Sequence, residues 1–266
     1  MKISRIPFAI LILTFLTAVL VSAQESREVN KSASFGANGR VYVDTYKGTI
    51  HFLPWDKPEI EIHAVIESDG RDRDSREQVR DTEIRIDLSE SSAHIKTDYD
   101  AARRRHHGFF GLFTDDSNNL PSVYYTIKIP RTTKVVVKDY KSKTTIDDLQ
   151  ADVDLETYKG EVAIGRLTGA LALQTYKGEA KIEFANISGR SRVETYKGEI
   201  EVRVPRGKGF DLETDMGRHA RLNSDVEIVR DRNDRQRGYE ARTSVNGGGP
   251  TLYVKTDRGT IRLYEH

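Results

Sequence analysis

Tyrosine followed by lysine recurs along this chain at a nearly fixed interval. Tyr158-Lys159, Tyr176-Lys177 and Tyr196-Lys197 each sit inside Thr-Tyr-Lys-Gly, and a further copy spans Thr45 to Gly48. These side chains have chemistry to offer. A tyrosine brings an aromatic face and a hydroxyl, and a lysine brings a charge with three donors. Set in line, they would suit sugar rings stacking on aromatic faces, or an acidic polymer with evenly spaced charges. In a glycan-cleaving enzyme, Tyr or Lys would serve as a base and Asp or Glu as an acid. Here the carboxylates recur with the repeat, whereas a catalytic site should interrupt it. Asp215-Met216, standing where Tyr-Lys is expected, is the one such break among consecutive units.

The chain has no G-x-S-x-G, no H-E-x-x-H, no phosphate loop and no cysteine nucleophile. No catalytic residue, cofactor or metal ligand is therefore assigned. His106 and His107 are adjacent but lack a third ligand at a recognisable spacing. A second candidate surface is Arg103, Arg104 and Arg105, followed by Phe109, Phe110, Leu112 and Phe113. Basic residues ahead of aromatics suit contact with an anionic membrane or a partner protein. The favoured alternative is that the aromatics fold back over one open end of the fold, as capping segments must.

The repeat says what has to position these residues. Aligned on Gly160, Gly178, Gly198 and Gly217, the units are spaced by 18, 20 and 19 residues, and Ser142 extends the series backwards. Seven, five and three residues before each glycine lie inward positions such as Val153, Leu155 and Thr157, separated by polar Asp154 and Glu156. This is the period-two alternation of a half-buried strand. After the glycine the apolar positions are two and four on, as in Val162 and Ile164, so inward parity switches across Tyr-Lys-Gly. Each unit then reads strand, corner, strand, second turn. The expected fold is all-β: a β-solenoid, right-handed and β-helix-like, of 18–20-residue rungs, with a less regular N-terminal part and long loops. The glycine is expected at positive φ, with Gly48 and Gly259 in outer rungs or caps.

Stacked rungs would place Tyr140, Tyr158, Tyr176 and Tyr196 in one ladder about 4.8 Å apart, with Lys141, Lys159, Lys177 and Lys197 in another. Each aromatic pair adds about 0.5–1.5 kcal/mol, comparable to the roughly 0.8 kcal/mol repulsion of two ammonium groups at that spacing in water. Glu161, Glu179 and Glu199, two residues on, are expected to pair with the lysines. The Tyr-Lys ladder is thus either self-sufficient stiffening or a binding surface, and the first reading is favoured.

The chain begins with Lys2 and Arg5, an apolar run from Ile6 to Val21 and small residues at Val21-Ser22-Ala23, the pattern of a cleaved export signal over 1–23. A retained anchor is the rival reading. Residues 24–33 are expected as a flexible linker and 34–266 as one domain, with regular rungs over about 131–220 and an insertion at about 223–249. Without Lys2 and Arg5 the chain carries 40 basic and 41 acidic residues, which argues against nucleic-acid binding. With no cysteine, an exported chain must hold together by its core or by repetition. A short helix is expected within 67–81, opened by Ser75 with Gln78. Strands are expected at 82–88, 92–99 and 122–130.

Strands ending in T-x-x-G-x-I corners, the loop "HGFFGLF" before "VYYTIKIP", and the closing "NGGGPTLYVKTDRGTIRL" resemble the bacterial putative-adhesin family of unknown function, also described as adhesin-like β-strand-repeat proteins. The resemblance covers about 34–266. It implies an exported β-helical domain acting at the cell envelope or surface, and it carries over no catalytic residue. The chain departs from the family in placing Tyr-Lys at corners commonly filled by small polar residues. The combined expectation is an extracytoplasmic, non-enzymatic protein that binds or scaffolds envelope polysaccharide or protein. Membrane contact is not favoured, and no oligomeric state is assigned. The alternatives are a glycan-active enzyme on the same scaffold, or an envelope sensor engaging membrane or protein through 103–113.

Overall fold

The computed structural model of the chain describes residues 25–68, 70, 72–106, 120–227 and 238–266; the export signal expected over 1–23 lies outside them. The chain runs through β1 (Ser26–Ser34), β2 (Arg40–Asp44), β3 (Lys47–Trp55) and β4 (Glu59–Glu67) to the helix α1 (Arg73–Asp81). β5 (Glu83–Leu88) and β6 (Ser92–Asp98) precede α2 (Asp100–His106), and β7 (Ser122–Pro130) follows it. Strands then alternate around corners: β8 (Lys134–Asp139) and β9 (Lys141–Ile146), β10 (Val153–Thr157) and β11 (Glu161–Leu167), β12 (Leu171–Thr175) and β13 (Glu179–Phe184), β14 (Ser191–Thr195) and β15 (Glu199–Val204). β16 (Phe210–Gly217), β17 (Arg221–Ser224), β18 (Gly238–Val245), β19 (Thr251–Thr256) and β20 (Thr260–Glu265) follow.

The fold is all-β, built from two ten-stranded mixed sheets. One has the order β1-β4-β7-β3-β9-β11-β13-β15-β20-β17, the other β18-β16-β19-β14-β12-β10-β8-β2-β6-β5. The two strands flanking each corner lie in opposite sheets, and like strands pair in parallel at the repeat offset. Val153, Leu155 and Thr157 face Leu171, Leu173 and Thr175, and Val162 and Ile164 face Ala180 and Ile182. Among the described residues, antiparallel pairing occurs only where β1, β4, β5 and β18 are added at the margins. The inward columns Val135, Val153, Leu171 and Val137, Leu155, Leu173, Val193 meet Ile146, Ile164, Ile182 and Val202 in one continuous core. Period-two alternation therefore produces the packing directly, and the strands at 82–88, 92–99 and 122–130 fall where their alternation placed them.

Several expectations are corrected. Most of the segment at 24–33 is not a linker: β1 pairs with β4 over nine residues, Ser26 opposite Glu67 to Ser34 opposite Glu59. Arg27 and Lys31 on this strand donate to the carbonyls of Thr82 and Ile86, so β1 also ties its sheet to the β5 side of the other. The helix opens at Asp72 rather than Ser75. The Asp72 carboxylate accepts the Ser75 amide at 2.7 Å and satisfies an amide the first turn leaves free. The segment at 223–249 is not a simple insertion, because β18 within it pairs with β16 from Phe210–Val245 to Gly217–Gly238; residues 228–237 lie outside the described ones. Gly48 and Gly259 are both internal. β2 and β3 are flanked on both sides, and β19 and β20 slot between β14/β15 and β16/β17. Since β18 occupies one edge of β16, only the other edge is left for β19. That pairing sets Thr214 opposite Val254 and Met216 opposite Thr256, two residues away from the alignment on Gly217.

The corner glycines are needed for a different reason than expected. Among the motif glycines only Gly48, at φ 126°, has positive φ. A Cβ on Gly178 would stand 2.1 Å from the Gly160 carbonyl oxygen, one on Gly198 2.1 Å from that of Gly178, and one on Gly259 2.3 Å from that of Gly198. Each of these three corners rests on the carbonyl of the corner beneath it, and only hydrogen fits between. Gly178→Ala should therefore cost about 1–3 kcal/mol through overpacking. Gly165→Ala, where a Cβ would meet nothing within 4 Å, should stay within about 0.5 kcal/mol of the parent. Urea unfolding of the two variants checks this, and equal losses would refute the stacked-corner explanation.

Candidate functional site

The corner threonine points into the core, and at three corners its hydroxyl closes the turn, whereas Thr195 Oγ1 is buried with no partner among the described residues. Gly160 N–H donates to Thr157 Oγ1 at 2.9 Å, Gly178 to Thr175 at 2.9 Å, and Gly259 to Thr256 at 2.8 Å. In the β8–β9 corner an aspartate takes this place. Asp139 Oδ1 accepts from Ser142 N–H at 2.8 Å and from the Thr157 hydroxyl at 2.9 Å, while its Oδ2 is shut from solvent without a partner. Burial pushes the Asp139 carboxyl up to about 6, against the pull of those two hydrogen bonds. The polar column continues through Thr45 and Thr97, 2.8 Å apart, to the Tyr125 hydroxyl 2.6 Å beyond, where burial raises the phenol above its ordinary range.

The backbone keeps its rung-to-rung pairing through the corner. Lys141 N–H donates to Tyr46 O at 2.8 Å, Lys159 to Tyr140 O at 2.8 Å, Lys177 to Tyr158 O at 2.9 Å and Lys197 to Tyr176 O at 2.9 Å. The tyrosines outside it must then stack. Tyr46, Tyr140, Tyr158, Tyr176 and Tyr196 form one column with centroid spacings of 4.8, 5.0, 4.7 and 4.8 Å and adjacent planes within 12° of parallel. Tyr99 meets Tyr46 edge-on, at 6.3 Å and 76°, and Arg103 lies 5.7 Å from the Tyr46 ring centre. At the other end the Arg258 guanidinium covers Tyr196 at 5.6 Å. Sequence reasoning named four of the five stacked tyrosines and missed Tyr46 and both end covers. The signal for Tyr46 was present, since Thr45–Gly48 repeats the motif, but its place in the stack was not.

Two consequences alter the expected chemistry. Ring faces within the column are covered by neighbouring rings, so Tyr158 and Tyr176, each 37% exposed, offer edges and hydroxyls. Sugar stacking on their faces is closed. The lysines do not pair with the glutamates two residues on. Lys159 lies 5.5 Å from the Tyr158 ring centre and Lys177 5.5 Å from that of Tyr176. Glu161 instead pairs with Lys143 at 3.8 Å, and Glu199 with Arg262. A residue at the corner and one that opens the next strand face different directions, and the strand residue finds its partner on the neighbouring strand.

Beside the stack a groove of about 500 Å³ crosses β8, β10, β12, β14 and β19, walled by Tyr158, Tyr176 and Tyr196. Lys138, Asp139, Glu156, Gln174, Glu194, Lys255 and Asp257 also line it. Asp215 does not belong to the tyrosine column. Its carboxylate accepts from Lys255 Nζ at 2.6 Å and from the Tyr253 hydroxyl at 3.3 Å, so the apparent break in the repeat is an ion pair beside β19. Arg104 and Arg105 fall on α2, and Phe109, Phe110 and Phe113 lie outside the described residues. No group of three or more His, Asp or Glu side chains among the described residues is placed to hold a metal ion, and no described helix is long and apolar enough to cross a membrane.

No protein-family model and no curated protein matches the chain. Among solved structures it is similar to a putative cell adhesion protein from Clostridium sporogenes, at 11% identity and TM-score 0.52, covering 91% of this chain and all of that one. Two proteins from Parabacteroides distasonis superpose far more loosely. A putative lipid binding protein reaches TM-score 0.26 at 10% identity over 89% of this chain and 96% of its own, and a putative adhesin 0.25 at 11% over 90% and 97%. The first shares the fold, in agreement with the family resemblance of the sequence. The other two are too distant in shape to add to that.

Tyr176→Leu keeps apolar bulk but removes two stacked pairs, and should lower stability by about 1–3 kcal/mol in urea unfolding. A loss below the error of the method would make the stack incidental. Asp139 binds its proton more tightly when folded than when unfolded. Its contribution to stability is therefore full below about pH 4 and is lost as pH rises through about 6. Relative to the parent, Asp139→Asn should gain melting temperature between pH 4 and 7, and parallel curves would refute the assignment.

Proposed function

We propose that this chain is an exported, adhesin-like β-repeat protein that attaches to, or scaffolds, a component of the cell envelope along its Tyr-Lys edge, without catalysis. The observation that carries this reading is the one-per-rung recurrence of tyrosine and lysine down a single edge, beside a groove that crosses five strands. Such a surface is linear, suited to a long partner rather than to a small substrate. The architecture is read as a right-handed, β-helix-like solenoid of 18–20-residue rungs. In support, successive strands pair at offsets of 17 to 20 residues in the two sheets. The leader pattern at 1–23 supports an extracytoplasmic location after cleavage, with 34–266 as one domain. The family resemblance of the sequence and the description of the Clostridium neighbour as a cell adhesion protein support the envelope role. Against an enzyme, Asp215, the carboxylate standing in place of Tyr-Lys, is held by Lys255 and Tyr253.

The test is co-sedimentation of residues 24–266 with bacterial cell-wall and polysaccharide fractions. The parent is compared with the combined Lys159→Ser, Lys177→Ser and Lys197→Ser variant, with a thermal melt on each. Binding lost at an unchanged melt is the expected result. Equal binding by both proteins, or none by either, would leave Thr-Tyr-Lys-Gly as a structural corner and remove the edge as an attachment surface.

A further inference from the structure

Four of the corner lysines form a cationic column that no described carboxylate neutralises. Lys141, Lys159, Lys177 and Lys197 are exposed, one per rung, and among the described residues none has a carboxylate within ion-pair distance. Acidic side chains flank the column on both sides, but other cations hold most of them. Glu156 pairs with Lys138 at 3.7 Å and Glu194 with Arg192, while Glu161 pairs with Lys143 and Glu199 with Arg262. Of these neighbours only Glu179 has no ion pair among the described residues. The corner backbone bonds hold the lysines at the rung spacing, so their mutual repulsion cannot relax by separating the rungs.

Resting on the attachment reading above, we propose that this column binds an extended acidic polysaccharide carrying one carboxylate per sugar residue. Spacing favours that class. The tyrosine centroids, and with them the corners, repeat every 4.7–5.0 Å. A hexose in an extended chain advances by about one such step, so polymer and column share a repeat along the edge. The tyrosine edges and hydroxyls face sugar hydroxyls without needing an aromatic face. Charge supplies attraction and register, and counterion release makes the binding salt-dependent.

The experiment measures binding of residues 24–266 to polygalacturonate across a salt series. The comparators are its fully methyl-esterified form, long-chain inorganic polyphosphate and monomeric galacturonate. The parent should bind polygalacturonate with an affinity that falls as salt rises, and should bind neither the ester nor the monomer measurably. The Lys159→Ser, Lys177→Ser, Lys197→Ser variant should lose at least about tenfold in affinity and about two to three in the slope of log K against log salt. Changing Lys57, Lys181 and Lys208 to Ser removes the same charge elsewhere and should lose less than about twofold. Changing the three corner lysines to Arg should restore binding. The proposal is overturned if the parent does not bind, if the ester binds equally, if both serine variants weaken alike, or if polyphosphate binds as tightly. Retention on wall fractions with no binding to polygalacturonate would remove this ligand class and leave the attachment reading standing.

Discussion

Parallel backbone hydrogen bonding fixes the distance between neighbouring strands at about 4.8 Å, and this chain maintains that distance through its corners as well as along its strands. The bonds from Lys159 to Tyr140, Lys177 to Tyr158 and Lys197 to Tyr176 run across the turn itself. Everything placed there must tolerate a copy of itself one rung away. At 178, 198 and 259 glycine is required because a carbonyl oxygen occupies the place of a Cβ, while the β8–β9 corner accommodates Ser142. Threonine is suited because its hydroxyl accepts the glycine amide without leaving the core. Tyrosine is among the few side chains for which near-exact superposition is favourable, since flat rings offset-stack at this spacing. Lysine is tolerated only because it is exposed to water.

The parts of the fold that were legible in the sequence are those governed by local periodicity. Alternating Val153, Leu155 and Thr157 against Asp154 and Glu156 gave strand, face and core membership together, and the parity switch after Gly160 located the corner. The rest depended on information that a repeat does not carry. β1 has only Val29 and Ala33 facing inward, too thin a signal to separate an edge strand from a polar linker. The rung containing β19 and β20 pairs in motif register with β14 and two residues out of it with β16, and chain order was followed where tertiary pairing reverses it. The glycine was recognised and its reason misassigned, because a turn seen alone suggests positive φ while the obstacle is a carbonyl in the adjacent rung. The Lys–Glu pairing failed similarly: short sequence separation across a corner does not bring two side chains onto one face.

The column also shows how one exception is absorbed in a repetitive core. Asp139 stands where threonine stands elsewhere, and one oxygen does the threonine's work while the other has no partner. The Thr157 hydroxyl from the next rung turns to meet it. At the ends of the aromatic stack the repeat stops cleanly, with an edge-on ring from Tyr99 and a guanidinium from Arg258 in place of further parallel rings. Neither end presents a bare ring face onto which another molecule's column would extend.

The slot filled by β19 and β20 bears on the order in which the molecule assembles. Pairing among β8 to β15 joins residues 17 to 20 apart, whereas β14 with β19 and β15 with β20 joins residues about three times as far apart. Closing the longer loop carries a larger entropic cost, and long-range contacts slow folding. The central rungs can zip locally, one on the next, while β16, β17 and β18 wait without a neighbour in the stack. The hairpin of β16 with β18 and the regular rungs become one cooperative body only when the β19–β20 rung inserts between them. That rung thus acts as a keystone for the C-terminal part: it pairs at long range with the regular rungs on one side and with the hairpin on the other, so the hairpin shares their unfolding barrier only once it is in place.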